Sequence, residues 1–121
     1  MPKKNILIVE DEYITALDLK TQILSKGDYD FEIVATGEEA VQKALHDKFD
    51  MVFIDIKLKG NMDGIEAAER IKDKKDTPVV YVTGNLDLVD TDRLKKTKPE
   101  GILRKPISDY ELMEIVNKLF T

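Results

Sequence analysis

Residues 5–12 read Asn5-Ile6-Leu7-Ile8-Val9-Glu10-Asp11-Glu12, a run of four β-favouring apolar residues that ends abruptly in acids. An unbroken apolar run is typical of a parallel strand buried on both faces, because a strand with one face in water would alternate with polar residues. Similar runs stand at 51–54 and 79–82, each with a polar residue directly after it. The pattern predicts a parallel sheet that is covered by helices on both faces.

Five predicted strands, at 5–9, 31–35, 51–54, 79–82 and 101–103, alternate with segments in which the apolar residues recur at the helical period. The stripes predicted to face the sheet are Ile14, Leu17, Thr21 and Leu24 in the first helix, Ala40, Val41, Ala44 and Leu45 in the second, Ile65, Ala68 and Ile71 in the third, and Leu112, Ile115, Val116, Leu119 and Phe120 in the last. Right-handed crossovers then give an open, doubly wound α/β sheet.

Two helix starts carry the spacing of a capping box, Thr36 with Glu39 and Ser108 with Glu111. The fourth helical segment, 87–96, has only a thin apolar stripe among charged residues. We therefore predict a marginal, mobile helix at this point of the chain.

The composition excludes several classes of function. The 121 residues carry 19 Lys and Arg against 24 Asp and Glu, and the net charge of −5 disfavours broad binding to nucleic acid or anionic lipid. With no Cys and one His, the chain cannot form thiolate or multi-His metal sites, and it has no Cys nucleophile. No apolar run approaches the roughly 20 residues of a membrane span. We expect one cytoplasmic domain with no membrane partner and no direct nucleic-acid partner.

The carboxyl ends of the predicted strands collect reactive side chains. Glu10 and Asp11 follow the first strand, Asp55 the third, Thr83 the fourth and Lys105 the fifth. Because ligands of a doubly wound sheet bind at this edge, we expect the five side chains to share one site. Three carboxylates held together repel each other, and a hard divalent cation such as Mg²⁺, which prefers oxygen ligands, relieves that repulsion.

Two acids that hold a cation leave the third free to react. Asp55 is the better nucleophile because it ends the central strand, and Glu10 and Asp11 are then the metal ligands. Phosphoryl transfer requires neutralisation of charge on the phosphoryl oxygens, which Mg²⁺, Lys105 and Thr83 can supply. The sequence lacks the P-loop pattern GxxxxGK[ST], so the expected phosphoryl donor is another protein or a small acyl phosphate.

Four segments in this order resemble the receiver domains of two-component response regulators. They are Ile6-Leu7-Ile8-Val9-Glu10-Asp11-Glu12, Asp55-Ile56-Lys57-Leu58 with Met62-Asp63-Gly64, Val82-Thr83-Gly84, and Leu103-Arg104-Lys105-Pro106. The resemblance implies that residues 1–121 form one flavodoxin-like (βα)5 domain with strand order 2-1-3-4-5. It also implies a cis peptide bond between Lys105 and Pro106.

The resemblance implies a signalling switch rather than an enzyme. Asp55 is then the phosphoacceptor, and Mg²⁺ is bound by Glu10, Asp11, Asp55 and the backbone carbonyl of Lys57. Thr83 contacts the phosphoryl group, and Lys105 pairs with it. The implied phosphodonor is a sensor histidine kinase. The face of the fourth helix, fifth strand and fifth helix is then expected to bind an output domain or partner protein, and a phosphorylation-dependent homodimer stays open.

Two departures from the receiver pattern concern switching. Ile102 stands where receivers usually carry Tyr or Phe, so coupling has to use Ile102 packing or movement of the loop and the fourth helix. The loop at 57–62 is one residue longer than the usual form and lacks its proline. Lys57, two residues after Asp55, is expected to border the attacking water and to alter the lifetime of the phosphate in a direction that the residues do not determine.

Two other functions fit part of the pattern. A Mg²⁺-dependent phosphohydrolase also works through an aspartyl phosphate, but its DxD pair would need an aspartate where Lys57 stands. A pseudo-receiver would bind partners without phosphate, and its key positions would be free to carry unreactive residues. Turnover of a phosphate ester identifies the first alternative, and a missing response to Mg²⁺ identifies the second.

Overall fold

Five parallel strands form one sheet in the computed structural model, which describes residues 3–120. They are β1 (Lys4–Val9), β2 (Tyr29–Val34), β3 (Met51–Asp55), β4 (Val79–Thr83) and β5 (Gly101–Arg104), in the order β2-β1-β3-β4-β5. The predicted doubly wound sheet and its strand order are confirmed. Residues 1, 2 and 121 of the predicted domain lie outside the described residues.

Helices cover both faces of the sheet. Helices α1 (Tyr13–Leu24) and α5 (Asp109–Phe120) pack on one face, whereas α2 (Gly37–His46), α3 (Gly64–Lys74) and α4 (Thr91–Lys96) pack on the other. Strands β3 and β4 are buried along their whole length, because both of their faces contribute to a hydrophobic core. None of the helices between residues 3 and 120 combines the length and apolarity that a bilayer crossing requires.

The predicted inner stripe of α1 is wrong. Ile14 has 76% of its surface exposed, and Thr21 and Leu24 also lie on the outside. The residues of α1 that are buried against the sheet are Ala16, Leu19 and Ile23. The predicted stripe and the buried stripe both have helical spacing, so periodicity alone does not determine how α1 is rotated about its axis. Packing on the sheet selects the stripe that contains the small residue Ala16. The stripes predicted for α3 and α5 do face the sheet, as do Ala40, Val41 and Ala44 of α2, whereas Leu45 is half-buried outside the hydrophobic core.

Strand β2 begins and ends earlier than predicted, at Tyr29 and Val34 instead of 31 and 35. It lies at the edge of the sheet, and its length is determined by pairing with β1 from Lys4 to Val9. An edge strand alternates between packed and solvated positions and therefore lacks the continuous apolar run of an inner strand. The bounds of β2 thus depend on a long-range pairing that is not visible in its own residues.

The two predicted N-caps are confirmed, but at the first one Glu39 Oε1 accepts the hydroxyl of Thr36 at 3.1 Å and not the backbone N–H that a capping box requires. The hydroxyl of Thr36 accepts the N–H of Glu39 at 3.1 Å, and the hydroxyl of Ser108 accepts the N–H of Glu111 at 3.3 Å. Each hydroxyl satisfies a backbone donor that has no partner inside its helix.

The helix predicted at 87–96 is divided in the structure. A 3₁₀ turn at Leu86–Leu88 is followed by the six-residue helix α4, whose first turn is capped by Asp90. Leu94 is the buried residue of α4, in agreement with the thin apolar stripe. The mobility of this helix stays a prediction.

Candidate functional site

The carboxyl edge of the sheet brings Glu10, Asp55 and Lys105 into direct contact. Lys105 Nζ donates a hydrogen bond to Glu10 Oε1 at 2.7 Å and another to Asp55 Oδ2 at 2.9 Å. Asp11 lies beside them, since one carboxylate oxygen from each of Glu10, Asp11 and Asp55 lies within 4.8 Å of the other two. We refer to these four side chains as the acidic pocket.

Thr83 lies at the end of β4, two strands away from β1, which leads to Glu10 and Asp11. Because β4 pairs with β3 on one side and β5 on the other, Thr83 stands between the strand ends of Asp55 and Lys105. Its carbonyl accepts the N–H of Lys105 at 2.9 Å, and its hydroxyl accepts the N–H of Asn85 at 3.3 Å. The peptide bond between Lys105 and Pro106 is cis, as the resemblance implies.

The acidic pocket is electrostatically unbalanced. The pKa of Glu10 is raised to about 7, and burial is the largest cause. The neighbouring carboxylates of Asp55 and Asp11 also raise it, whereas hydrogen bonds from Lys105 and from the backbone N–H of Glu12 oppose the rise. Burial lowers the pKa of Lys105, but its hydrogen bonds and charge interactions with Glu10 and Asp55 outweigh burial, and the net shift is upward. One ammonium group thus faces more negative charge than it can neutralise.

The raised pKa of Glu10 predicts a pH-dependent stability of the metal-free chain. Its ordinary value is 4.5, so the folded state binds the proton more tightly than the unfolded state does. This contribution to stability is fully present below pH 4.5 and is lost as the pH rises through about 7. Between pH 5.5 and pH 8, we expect the free energy of unfolding to fall by about 2 kcal/mol more in the wild type than in Glu10→Gln.

Urea unfolding in EDTA at a series of pH values measures this difference. Glu38→Gln, a change at an exposed position of α2, is the matched control and should follow the wild-type profile. Parallel profiles for the wild type and Glu10→Gln would contradict the raised pKa.

The donor set of the acidic pocket fits a hard divalent cation. Mg²⁺ prefers carboxylate and carbonyl oxygens, and the pocket offers carboxylates from Glu10, Asp11 and Asp55. The N–H of Lys57 donates to Asp55 Oδ1 at 3.2 Å, so the backbone at Lys57 also reaches the pocket. A divalent cation beside Lys105 would balance the charge of the carboxylates.

Three residues next to the acidic pocket, Asp63, Gly64 and Arg93, were not predicted from the sequence to support it. Gly64 donates its N–H to the carbonyl of Ile56 at 2.8 Å, and a Cβ atom at Gly64 would overlap the carbonyl oxygen of Asp55. Asp63 caps α3 and accepts a hydrogen bond from Arg93 Nη1 of α4 at 3.1 Å. Asp63 and Gly64 belong to the receiver-like segment Met62-Asp63-Gly64. Arg93 stands among other charged residues, and no sequence pattern indicates its contact with Asp63.

Most of the chain matches one known family. A family model for the response regulator receiver domain covers residues 6–117. The chain belongs to the response regulator receiver domain family. This receiver domain is 34% identical over 86 residues to response regulator ArlR from Staphylococcus haemolyticus, with 71% of the chain and 38% of the relative covered. It is 34% identical over 118 residues to transcriptional regulatory protein PdtaR from Mycobacterium tuberculosis, with 93% of the chain and 55% of the relative covered.

A solved structure resembles this receiver domain over nearly its whole length. The receiver domain of sensor histidine kinase PA1611 from Pseudomonas aeruginosa has a TM-score of 0.85 and 26% identity, with 98% of each chain covered. That protein has a magnesium ion coordinated in its active site cleft. The chain spans 38% and 55% of the lengths of ArlR and PdtaR. The chain therefore aligns with only part of those longer regulators.

Proposed function

We propose that residues 1–121 form a phosphorylation switch in which Asp55 accepts a phosphoryl group from a sensor histidine kinase. The observation that carries the proposal is the contact of Lys105 Nζ with Glu10 and Asp55, at 2.7 and 2.9 Å, at the carboxyl edge of a receiver fold. The domain is itself the acceptor and is changed by the reaction, so it acts as a switch and not as an enzyme with a separate substrate.

The two carboxylate oxygens of Asp55 have different partners. Oδ1 accepts the N–H of Lys57 at 3.2 Å, and Oδ2 accepts from Lys105 at 2.9 Å. In the proposed transfer, one of these oxygens forms a bond to phosphorus while the bond from phosphorus to the donor's imidazole nitrogen breaks, and the electron pair leaves with that nitrogen. Lys105 and the hydroxyl of Thr83 then bind phosphoryl oxygens and offset their negative charge.

The proposed Mg²⁺ ligands are Glu10, Asp11, Asp55 and the backbone carbonyl of Lys57. Bound Mg²⁺ supplies positive charge next to the oxygens of the phosphoryl group. The mutual approach of the three carboxylates within 4.8 Å supports this assignment. The magnesium ion in the related PA1611 receiver domain supports it as well.

The proposed output face consists of α4, β5 and α5. Tyr110 and Met113 of α5 expose 69% and 39% of their surface, so apolar groups are available to an output domain or partner protein. A second phosphorylated copy of the chain is another partner for this face. Because a histidine kinase uses ATP, the same proposal assigns the chain to the cytoplasm.

Labelling with acetyl phosphate tests the proposed function. In this reaction the bond between phosphorus and the acetate oxygen breaks, and acetate leaves with the electron pair. We expect one phosphate on the wild type in the presence of Mg²⁺, and none on Asp55→Asn or in EDTA. Asp73→Asn, at an exposed position of α3, is the matched control and should be labelled like the wild type. Intact-protein mass spectrometry reads out the result.

Equal labelling of the wild type and Asp55→Asn would refute the assignment of the phosphoacceptor. A wild type that is never labelled would instead support the pseudo-receiver alternative. Sustained turnover of a phosphate ester by the wild type would support the phosphohydrolase alternative.

A further inference from the structure

Helix α4 is attached to α3 by a guanidinium bridge. Arg93 Nη1 donates to Asp63 Oδ2 at 3.1 Å, and Nη2 donates to Asp63 Oδ1 at 3.4 Å and to Glu69 Oε1 at 3.3 Å. Both oxygens of Asp63 thus face the planar fork of Arg93, a geometry that lysine cannot reproduce. We refer to these three side chains as the Arg93 bridge.

Asp63 lies at the end of the loop that borders the acidic pocket. Its Oδ1 also accepts the N–H of Glu66 at 2.8 Å, so the same carboxylate caps α3 and receives Arg93. The next residue, Gly64, donates to the carbonyl of Ile56 at 2.8 Å and closes the loop at 57–62. The carboxylate held by Arg93 is therefore the one that caps α3 at the end of the loop carrying Lys57.

The other end of α4 is attached to the sheet by a buried hydrogen bond. Tyr81 of β4 and Thr97, the residue after α4, have their hydroxyl oxygens 2.7 Å apart. The hydroxyl of Thr97 donates its proton to the carbonyl of Leu94 at 2.6 Å, so Tyr81 is the donor in the hydrogen bond between the two hydroxyls. This end of α4 is anchored in the core, whereas the Arg93 bridge lies at the surface, with side chains 39–44% exposed.

We propose that Arg93 is a positioning residue for the acidic pocket, acting through Asp63 on the loop at 57–62. The functional consequence rests on the proposed phosphorylation switch: α4, part of the output face, is coupled to the metal and phosphoryl site through the start of α3. This route requires no aromatic side chain at position 102, where the chain has Ile102. Because coupling is reciprocal, a partner that holds α4 in its present position strengthens Mg²⁺ binding, and a partner that moves it weakens binding.

Mg²⁺ affinity of the intact chain, measured by calorimetry, is the first test. We expect Arg93→Met to weaken Mg²⁺ binding about fivefold, the lower end of the usual range for coupling between two sites, because Arg93 acts on the metal ligands only through Asp63 and the loop. Arg93→Lys should recover only part of the loss. Arg70→Met is the matched control, because Arg70 forms a similar ion pair with Glu66 on α3, with Nη2 to Oε2 at 2.9 Å, but does not reach α4.

Amide hydrogen exchange without metal is the second test. Arg93→Met should accelerate exchange in the loop at 57–62 and in the first turn of α3 about fivefold, whereas Arg70→Met should not affect the loop. Asp63→Asn keeps an oxygen for the α3 cap but loses the charge that pairs with Arg93. It should behave like Arg93→Met in the loop, with the helical signal of α3 retained.

Equal Mg²⁺ affinity and equal loop exchange in Arg93→Met and Arg70→Met would overturn the inference. The tests of the Arg93 bridge and of the phosphorylation switch can fail independently of each other. A wild type that takes no phosphate, together with faster loop exchange in Arg93→Met, would refute the phosphorylation switch and leave the positioning role of Arg93 in place. Normal phosphorylation of the wild type, with no effect of Arg93→Met on Mg²⁺ affinity or loop exchange, would support the phosphorylation switch and refute the positioning role of Arg93.

Discussion

Gly64→Ala is expected to lower the free energy of unfolding by about 3 kcal/mol, the upper end of the usual cost of overpacking. A Cβ atom at this position would overlap the carbonyl oxygen of Asp55 and lie 2.9 Å from the carbonyl carbon of Asp55 and the Cα of Ile56. These are buried backbone atoms at the end of β3 and directly after it, so they cannot move aside without displacing β3 or α3. The change is therefore destabilising although alanine is the better helix former by about 1 kcal/mol.

The same substitution should slow labelling by acetyl phosphate. Relief of the overlap displaces the backbone of Asp55, and misplacement of a reacting group by about 1 Å can cost about a hundredfold in rate. We expect Gly64→Ala to be labelled at least about tenfold more slowly than the wild type under conditions where both are folded.

Two other glycines provide matched controls for Gly64→Ala. Gly84 lies directly after Thr83, and a Cβ atom there would have no atom within 4 Å, so Gly84→Ala should retain stability and labelling. At Gly101 a Cβ atom would lie 2.6 Å from Cδ1 of Ile115, which is the flexible end of a side chain. Gly101→Ala should lose some stability without slowing the labelling. Urea unfolding and mass spectrometry compare the variants, and equal behaviour of Gly64→Ala and Gly84→Ala would contradict the prediction.

Lys105→Met is expected to change stability and Mg²⁺ affinity in opposite directions. In the absence of metal, removal of the ammonium leaves the buried carboxylates of Glu10 and Asp55 without their counter-charge. Breaking a buried ion pair costs about 3–5 kcal/mol, and because Lys105 is 24% exposed we expect a smaller loss, about 2 kcal/mol at pH 8. Mg²⁺ no longer competes with the lysine for these oxygens, so we expect its affinity to rise about tenfold.

Lys105→Met should slow phosphorylation although it strengthens Mg²⁺ binding. Without Lys105, one source of positive charge on the phosphoryl oxygens is lost, and we expect labelling by acetyl phosphate to fall about a hundredfold at saturating Mg²⁺. Lys43→Met is the matched control, since Lys43 also pairs with two acids, Glu32 at 3.1 Å and Asp47 at 3.4 Å, but on the exposed surface. It should retain Mg²⁺ binding and labelling. Weaker Mg²⁺ binding in Lys105→Met would show that the lysine supports the metal site instead of competing with it.

The fold was predictable because its strongest signals are local. The unbroken runs at 6–9, 51–54 and 79–82 indicate strands buried on both faces, and the polar residue after each run marks the edge where the strands end together. Together with the predicted strand at 101–103, this rule placed Glu10, Asp55 and Lys105 at one site, and the structure brings their charged groups into contact. Their roles in metal binding and phosphoryl transfer stay predictions.

By itself, the sequence determined the order of strands and helices, two helix caps and the set of side chains at the carboxyl edge, because periodicity, capping residues and strand ends are properties of neighbouring residues. Only the tertiary structure decided that Ala16 and not Ile14 faces the sheet, that Gly64 touches the backbone of Asp55, and that Arg93 reaches Asp63. It also produced the pKa of about 7 at Glu10. Each of these depends on residues distant in the chain that come together only when helices pack on the sheet, so no local pattern records them.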